Sequence, residues 1–532
     1  MDPIPRTGYK PPHSLPRSTA LLIAVALALG LILRFANLDK KIYWYDEFET
    51  SYRVAGYSGV QLGSVLAPGH DIEVQDIKKF GHIDPGTGLR EVIRSLALDV
   101  PQHPPLYFVL ARLWANLCGD SPKAIRALSA FLALLVIPGV YWLSRELSDS
   151  NYTASITIIL LAVSPFHVLY AQEARPYSLW MLITVISSAT LLRAIRLATW
   201  RAWGLYALTL IAGIYSHLLF GLVIAGHGIY VMASKETGFG KSGPYFVAGI
   251  LALIAFLPWL RLIVLHSAEA QATTSWIRST TAAPFDRLQR WNLVFSLALL
   301  DTGGTSVLKI GYDLHSRWIH LIRLPVLLLI GYSLFFTYKK APKRIWLLVF
   351  TLTGSAVLPL LAPDLVLAWQ GTSHPRFLSP FYLGTLLSVG YLLEAKISSG
   401  NFSQRFTWRV ITAATFFSAI LSCLMISYAD TWWNKGQVNP RVASVINQAA
   451  HPLLIIATDG PSLFHLLSLT NLLDPQIRIR LVQESGTPAI PDGFTDVFLI
   501  NPPEKLRQGL VKSNYRLEGS GVDTLWRLGK AS

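Results

Sequence analysis

The chain alternates about eleven long apolar stretches with short polar segments, a pattern that predicts membrane-crossing helices at roughly 20 residues per span. The stretches are 20–38, 124–147, 154–170, 177–192, 202–216, 218–232, 245–265, 321–338, 345–361, 377–393 and 410–428. Lys and Arg gather in every second connection: Arg145, then Arg193, Arg196 and Arg201, then Lys235 and Lys241, then the run Lys339-Lys340-Ala341-Pro342-Lys343-Arg344. Basic loops stay on the cytoplasmic side, so the asymmetry orients the chain with its Pro-rich, basic N-terminus inside. A cleavable signal peptide is the competing reading of the first stretch, but no small-residue cleavage site ends it. Segment 104–119 (PPLYFVLARLWANLCG) is apolar but short and carries Arg112. It predicts a helix lying at the interface; if it spanned, the basic loops would face out. The piece 293–300 is likewise too short to cross.

After Trp432-Trp433, read as an interfacial anchor pair, the composition becomes that of a soluble domain. Residues 453–458 and 496–500 predict short buried strands, and 462–473 and 503–511 predict helices. The expected fold class is an α-helical polytopic membrane protein with a small C-terminal extracytoplasmic α/β domain. The membrane domain takes 1–428, including a first extracytoplasmic loop at 39–121 with juxtamembrane helices, and the soluble domain takes 429–532.

Composition agrees with this. Of 532 residues, 52% are hydrophobic and only 14% charged, with a mean hydropathy of +0.42. A soluble core of ordinary size does not hold so many long apolar runs. The net charge of +15 follows from the inner loops, and no basic stripe suits nucleic acid. Cys118 and Cys423 sit in apolar surroundings and read as core residues. No Walker-type loop, zincin motif or Cys-based metal site is present, and Asp459-Gly460 lacks the glycine-rich context of a nucleotide site.

Given this topology, four polar clusters reach the same outer face. Tyr43-Trp44-Tyr45-Asp46-Glu47 follows the first span. Adjacent carboxylates diverge on a helix, so one can act while the other is structural. Three preceding aromatics favour a shielded pocket for Asp46, where a carboxylate serves as general base toward a hydroxyl or amine. A solvated acidic loop is the bland alternative. His103-Pro104-Pro105 opens the interfacial helix; free amides and His103 there suit an anionic phosphate, or the segment is only a turn leading into the helix. The turn at 170–178 (YAQEARPYS) confines Glu173 and Arg175 near the membrane, as phosphate and acceptor ligands or as an ion pair closing the turn. His374 and Arg376 stand where a late span begins, suited to phosphate or to snorkelling. His217 is a weaker candidate, and His227 falls inside as a structural residue. Carboxylates mixed with Arg and His suit transfer chemistry on a phosphate-linked lipid.

At these residues the chain resembles the GT-C superfamily of membrane glycosyltransferases, in the branch of protein O-mannosyltransferases and the bacterial aminoarabinose transferase of lipid A. The carriers are TyrAspGlu at 45–47, HisProProLeuTyr at 103–107, AlaIleArgAlaLeuSerAla at 124–130 and GlnGluAlaArgProTyrSerLeu at 172–179. The resemblance covers roughly residues 20–400 and implies a polyprenyl-phosphate sugar donor and a lipid, glycan or protein acceptor. It implies Asp46 as base, with Glu47 completing the acidic motif. It also places His103 toward the lipid phosphate, where aminoarabinose transferases carry Lys, and matches a second acidic site to Glu173 with Arg175. The full expectation is an inverting transferase of a bacterial plasma membrane, active on the extracytoplasmic face. Asp46, Glu47 and Glu173 are its catalytic candidates, and His103, Arg175, Tyr177, His217, His374 and Arg376 its substrate and phosphate ligands. Asp46 and Glu173 could share a divalent cation, Mg2+ or Mn2+. The rivals are a transporter of a lipid-linked or anionic substrate and a non-catalytic scaffold. Transporters usually hold ionisable groups near the bilayer midplane, whereas here the charges gather at one end.

Overall fold

The computed structural model describes residues 17–530, apart from 149, 235–241, 279–283, 304–311, 434, 459–460, 484–489 and 492. Lys235, Lys241 and the Asp459-Gly460 pair therefore lie outside the described residues. The chain forms two compact units. The first holds the described residues up to Leu38 with Val100–Tyr107 and Arg126–Ser427; the second holds Asp39–Asp99, Phe108–Ile125 and the chain from Tyr428 onward.

Every one of the eleven apolar stretches is helical. They form α1 (Arg17–Phe35), α2 (Pro122–Leu147), α3 (Asn151–Ala162) with α4 (Pro165–Ala171), α5 (Tyr177–Leu197), α6 (Trp200–Ser216), α7 (Phe220–Ala233) and α8 (Gly243–Leu265). After α9 (Pro284–Ser296) come α10 (Tyr312–Lys340), α11 (Lys343–Val366), α12 (Ser379–Ser398) and α13 (Phe402–Tyr428). Among the described residues seven helices are long and apolar enough to cross a membrane, or up to eight if α3 and α4 count as one span. The described part of α1 and all of α7 are shorter apolar helices, and α6 has 17 residues.

The stretch at 154–170 is not one straight span. It bends by 54° between α3 and α4, and the cause is Pro165, which has no N–H for the carbonyl of Leu161. Phe166 N–H is diverted to Leu297 O at 3.1 Å, which strands the carbonyl of Ala162. Arg34 fills the gap: Nη1 donates to Ala162 O at 2.8 Å and Nη2 to Leu161 O at 3.0 Å. Cys423 Sγ donates to Val163 O at 3.1 Å. The close approach is possible because α1 carries glycine there; a Cβ on Gly30 would stand 2.9 Å from that of Ala162. In an apolar medium every backbone group needs a protein partner, and a buried Arg supplies two.

Segment 293–300 does not cross either. It ends α9 and turns inward, where Leu297, Ala298 and Leu299 are buried and Ala298 O accepts from Ser164 Oγ at 2.7 Å. His227 is buried between Tyr206 Oη and Ser188 Oγ, each 3.1 Å away, the structural role expected of it. Arg34 and His167 are also buried in this unit.

The second unit contains a six-stranded sheet in the order β1-β3-β2-β4-β6-β5. Its strands are β1 (Asp71–Glu73), β2 (Pro452–Ala457), β3 (Arg478–Val482), β4 (Asp496–Ile500), β5 (Tyr515–Val522) and β6 (Leu525–Lys530). The first loop, expected to belong with the membrane helices, thus supplies an edge strand to the C-terminal sheet. β1 runs antiparallel to β3, with Asp71 opposite Arg480, and the two side chains pair at 2.6 and 2.7 Å. The hydrogen-bonded guanidinium holds the Asp71 carboxyl below its ordinary range. A carboxylate whose folded pKa is depressed adds stability that is present above its unfolded pKa and is lost as pH falls through the folded pKa. Exchange of the Ile72 amide is therefore expected to accelerate as pH drops below about 4, beyond the intrinsic pH effect, and the Asp71→Asn variant should show no such step.

Arg112, on the helix Leu106–Cys118, is tied into this unit: its Nη1 donates to Val54 O at 2.9 Å and its Nη2 to Thr87 O at 2.6 Å. Two further expectations are corrected in this unit. Trp432 is buried rather than standing as an interfacial anchor. Cys118 is exposed and only Cys423 is buried.

Candidate active site

The helix Tyr45–Ala55 places Asp46 and Glu47 in its first turn, where the helix dipole favours negative charge. Successive residues point about 100° apart on a helix, and the two carboxylates separate accordingly. Glu47 is fully buried at 0% exposure, whereas Asp46 is half-buried. The aromatic run around them is structural as well as shielding. Tyr43 Oη bonds Ser51 Oγ at 2.5 Å, Tyr45 packs on Phe464 with the ring centroids 4.4 Å apart and the planes tilted by 52°, and Lys435 Nζ lies over the rings of Trp44 and Trp433 at 4.7 and 5.1 Å.

Sequence reasoning missed Glu49, the hub of this helix. It accepts from Tyr45 Oη at 3.0 Å and pairs with Arg53, whose Nη1 also reaches Asp99 at 3.0 Å. Burial, then the Glu49 charge, holds the Tyr45 phenol far above its ordinary range. The i, i+4 spacing of Tyr45, Glu49 and Arg53 was the available signal.

The first unit gathers most of the remaining candidates. Gln172 caps the end of α1, its Nε2 donating to Leu33 O at 2.7 Å and Ala36 O at 3.0 Å, and this fixes the turn between α4 and α5. Glu173 and Arg175 are buried in that turn, with Arg175 N–H bonded to Glu173 O at 2.8 Å. The charges of Arg175 and Arg376 both act on the His217 imidazole, and those of Glu173 and Arg376 both act on Tyr170. Glu173, Arg175, His217 and Arg376 therefore belong to one cluster, which Tyr177 joins by its edge contacts with Tyr170 at 5.0 Å and His217 at 6.2 Å.

His217 stacks on Trp180 at 4.3 Å with the rings only 6° from parallel. Its Nδ1 accepts the Leu219 N–H at 3.2 Å, so the ring proton sits on Nε2 as a neutral donor. Burial first, then the Arg175 and Arg376 charges, pull this imidazole down to about 3. No local pattern marks Trp180, which a tertiary contact brings in.

His374 and Arg376 form a second lobe. Arg376 lies over Trp276 at 5.2 Å and Phe377 at 5.4 Å, and His374 meets the Trp276 edge at 4.7 Å. Asp364, expected in the outer loop, sits in the last helical turns of α11 and is buried.

His103 begins the HisProProLeuTyr motif, its N–H closing a turn onto Val100 O at 2.9 Å. The motif's Tyr107 bonds Ser129 Oγ at 2.8 Å, and Ser129 Oγ lies 3.4 Å from Arg175 O. Three separate sequence motifs thus meet in one hydrogen-bonded string, which accounts for Tyr107 and Ser129.

Among the described residues no group of three or more His, Cys, Asp or Glu side chains is placed to hold a metal ion.

The family model for dolichyl-phosphate-mannose-protein mannosyltransferase matches residues 102–261, the part that contains His103, the Glu173–Arg175 turn and His217. No curated protein sequence matches the chain significantly. Among solved structures, ArnT from Cupriavidus metallidurans in the apo state is similar at 12% identity and a TM-score of 0.54, covering 97% of this chain and 98% of that one. The same ArnT bound to undecaprenyl phosphate matches at 13% identity and 0.52, with the same coverage. The Archaeoglobus fulgidus oligosaccharyltransferase matches at 13% identity and 0.49, over 87% of this chain and 64% of that one. The chain has the fold of ArnT from Cupriavidus metallidurans, and over residues 102–261 it matches the mannosyltransferase family model.

Proposed function

We propose that this protein transfers a sugar from a polyprenyl-phosphate-linked donor to an acceptor outside the cytoplasm, inverting the anomeric carbon. The observation that carries the reading is the buried cluster in which His217, its Nδ1 accepting the Leu219 N–H, feels the charges of the buried Arg175 and of Arg376, within the fold of ArnT, which has been solved with undecaprenyl phosphate. Two guanidinium groups and an Nε2–H donor match the oxygens of a phosphate, and Arg offers them in fork geometry.

In this reading the acceptor hydroxyl or amine attacks the anomeric carbon as its bond to the phosphate oxygen breaks. The electron pair leaves on the phosphate, and the acceptor proton passes to Asp46. Arg175 and Arg376 stabilise the charge that develops on the leaving group, the contribution that counts most in such sites. His103, His374 and Tyr177 complete the phosphate surroundings, Glu173 orients Arg175, and Glu47 supports the acidic turn. The acceptor is a lipid, a glycan or a protein, and the setting is a bacterial plasma membrane with the site on its outer side.

The test is release of polyprenyl phosphate from a mixed pool of polyprenyl-phosphate sugars by purified protein in lipid, with crude envelope acceptors. Release that vanishes in Asp46→Asn supports the reading; no release from any donor by folded protein sinks it in favour of a transporter or a scaffold. Arg175→Ala is expected to raise the KM for the donor about 10- to 100-fold, the loss of one charge-assisted hydrogen-bonded contact. Initial rates against donor concentration check this, and an unchanged KM removes Arg175 from the phosphate site.

A further inference from the structure

We infer that Asp364 is the positioning residue that holds Arg376 in place for the phosphate, an inference that rests on the function proposed above. Asp364 lies near the end of α11 and is 1% exposed. Its Oδ1 accepts the N–H of Gly371 at 2.7 Å, and its Oδ2 accepts the N–H of Thr372 at 2.7 Å and the Thr372 hydroxyl as well. One carboxylate thus takes three donors from two successive residues and closes the loop that leads to His374 and Arg376.

The same turn is tied to the surface on which Arg376 rests. Trp291 Nε1 donates to Thr372 Oγ1 at 2.8 Å. Gln370 N–H donates to Ile277 O at 3.1 Å, and its side-chain amide donates to Trp276 O at 2.6 Å. Trp276 is the ring beneath Arg376. Asp364 therefore fixes both the backbone that carries the guanidinium and, through Gln370, the aromatic platform under it. Arg is a long side chain with many rotamers, and a binding group pays less on binding when its surroundings already restrict it.

The carboxylate is needed for this and an amide does not replace it. Asn offers a single acceptor oxygen, and its NH2 would face the Thr372 N–H and hydroxyl, donor against donor. Gly371 reports the tight fit, since a Cβ there would stand 3.3 Å from Leu360 Cδ2 and 3.5 Å from Asp364 Oδ1.

The test is a double-mutant cycle on the full-length protein in lipid nanodiscs, with undecaprenyl phosphate as the probe and its Kd read by calorimetry. Asp364→Asn and Arg376→Ala are each expected to weaken binding about tenfold, and the double variant no further than Arg376→Ala alone. Losses that multiply would show that Asp364 acts independently of Arg376 and overturn the inference. If Asp364→Asn does not fold, Thr372→Val removes one of the three donors, with about a threefold loss and the same non-additivity expected. Amide exchange at Gly371 and Thr372 gives a readout that does not involve the ligand, and it is expected to quicken in Asp364→Asn. Unchanged exchange, with binding lost in Arg376→Ala, sinks the inference alone. Faster exchange, with binding intact in Arg376→Ala, sinks the phosphate role of Arg376 and the inference with it.

Discussion

Replacing Asp46 by Asn is expected to lower turnover by about 10²- to 10⁴-fold, the usual contribution of a positioned general base, with the melting temperature and the Kd for undecaprenyl phosphate unchanged. The geometry separates these readouts. Asp46 sits half-buried in the first turn of its helix, while the structural anchoring of that helix falls to other groups: the Glu49–Arg53–Asp99 pairing, the Tyr45–Phe464 contact and Lys435 between two indoles. Asn keeps the shape and can still accept a hydrogen bond, but it takes up no proton near neutral pH. Single-turnover release of polyprenyl phosphate, compared with thermal melts of the same preparation, checks the expectation. Turnover within threefold of wild type would remove Asp46 from the chemistry.

The largest expected effect on stability comes from Arg34→Leu. Two physical terms compete at this site. A buried guanidinium is costly to desolvate, so an apolar replacement is sometimes neutral. Here the replacement strands the carbonyl of Ala162 and leaves that of Leu161 with only the Ser164 N–H at 3.3 Å, and the helix cannot re-form its own bonds because Pro165 brings no N–H and Phe166 is committed to Leu297. At about 1–3 kcal/mol for a stranded buried acceptor, the second term wins, and a loss of roughly 1–3 kcal/mol is expected. Thermal unfolding in nanodiscs measures it. Arg34→Lys, with one ammonium in place of a planar fork, should fall between the two. A change in Arg34→Leu below about 0.5 kcal/mol would mean that the bend closes by another route.

Much of the membrane unit was legible because hydropathy alone selects helices in an apolar solvent, and each of the eleven apolar stretches is helical. The bend was also legible in principle. Ser164-Pro165 inside an apolar run and Arg34 inside another are the two halves of one device, but only tertiary contact joins residues so far apart in sequence. Asp364 read as an outer-loop residue because the apolar stretch was ended at 361; α11 carries Pro359 and Pro363 and continues to Val366. In the soluble part, Arg478-Ile479-Arg480-Leu481-Val482 has the period-2 alternation of a half-buried strand and was overlooked beside the more continuous apolar runs. The Asp71–Glu73 strand had no such signal, because three residues make no pattern and β3 alone defines it. Of the site, residue types and their clusters were readable. The stacking of Trp180 on His217 and the Tyr107–Ser129–Arg175 string were not, since nothing local encodes them.

The strand that the first loop lends to the C-terminal sheet has a consequence for biogenesis. Asp71 and Arg480 are 409 residues apart, so at about 5–20 residues per second of synthesis the early partner is made roughly 20 to 80 seconds before the late one. During that interval the ribosome delivers most of the helices while β1 has no ladder to join, and the sheet gains this edge only once β3 has been made. A nascent chain halted before β3 would carry its acidic helix on a loop still lacking that cross-strand tie.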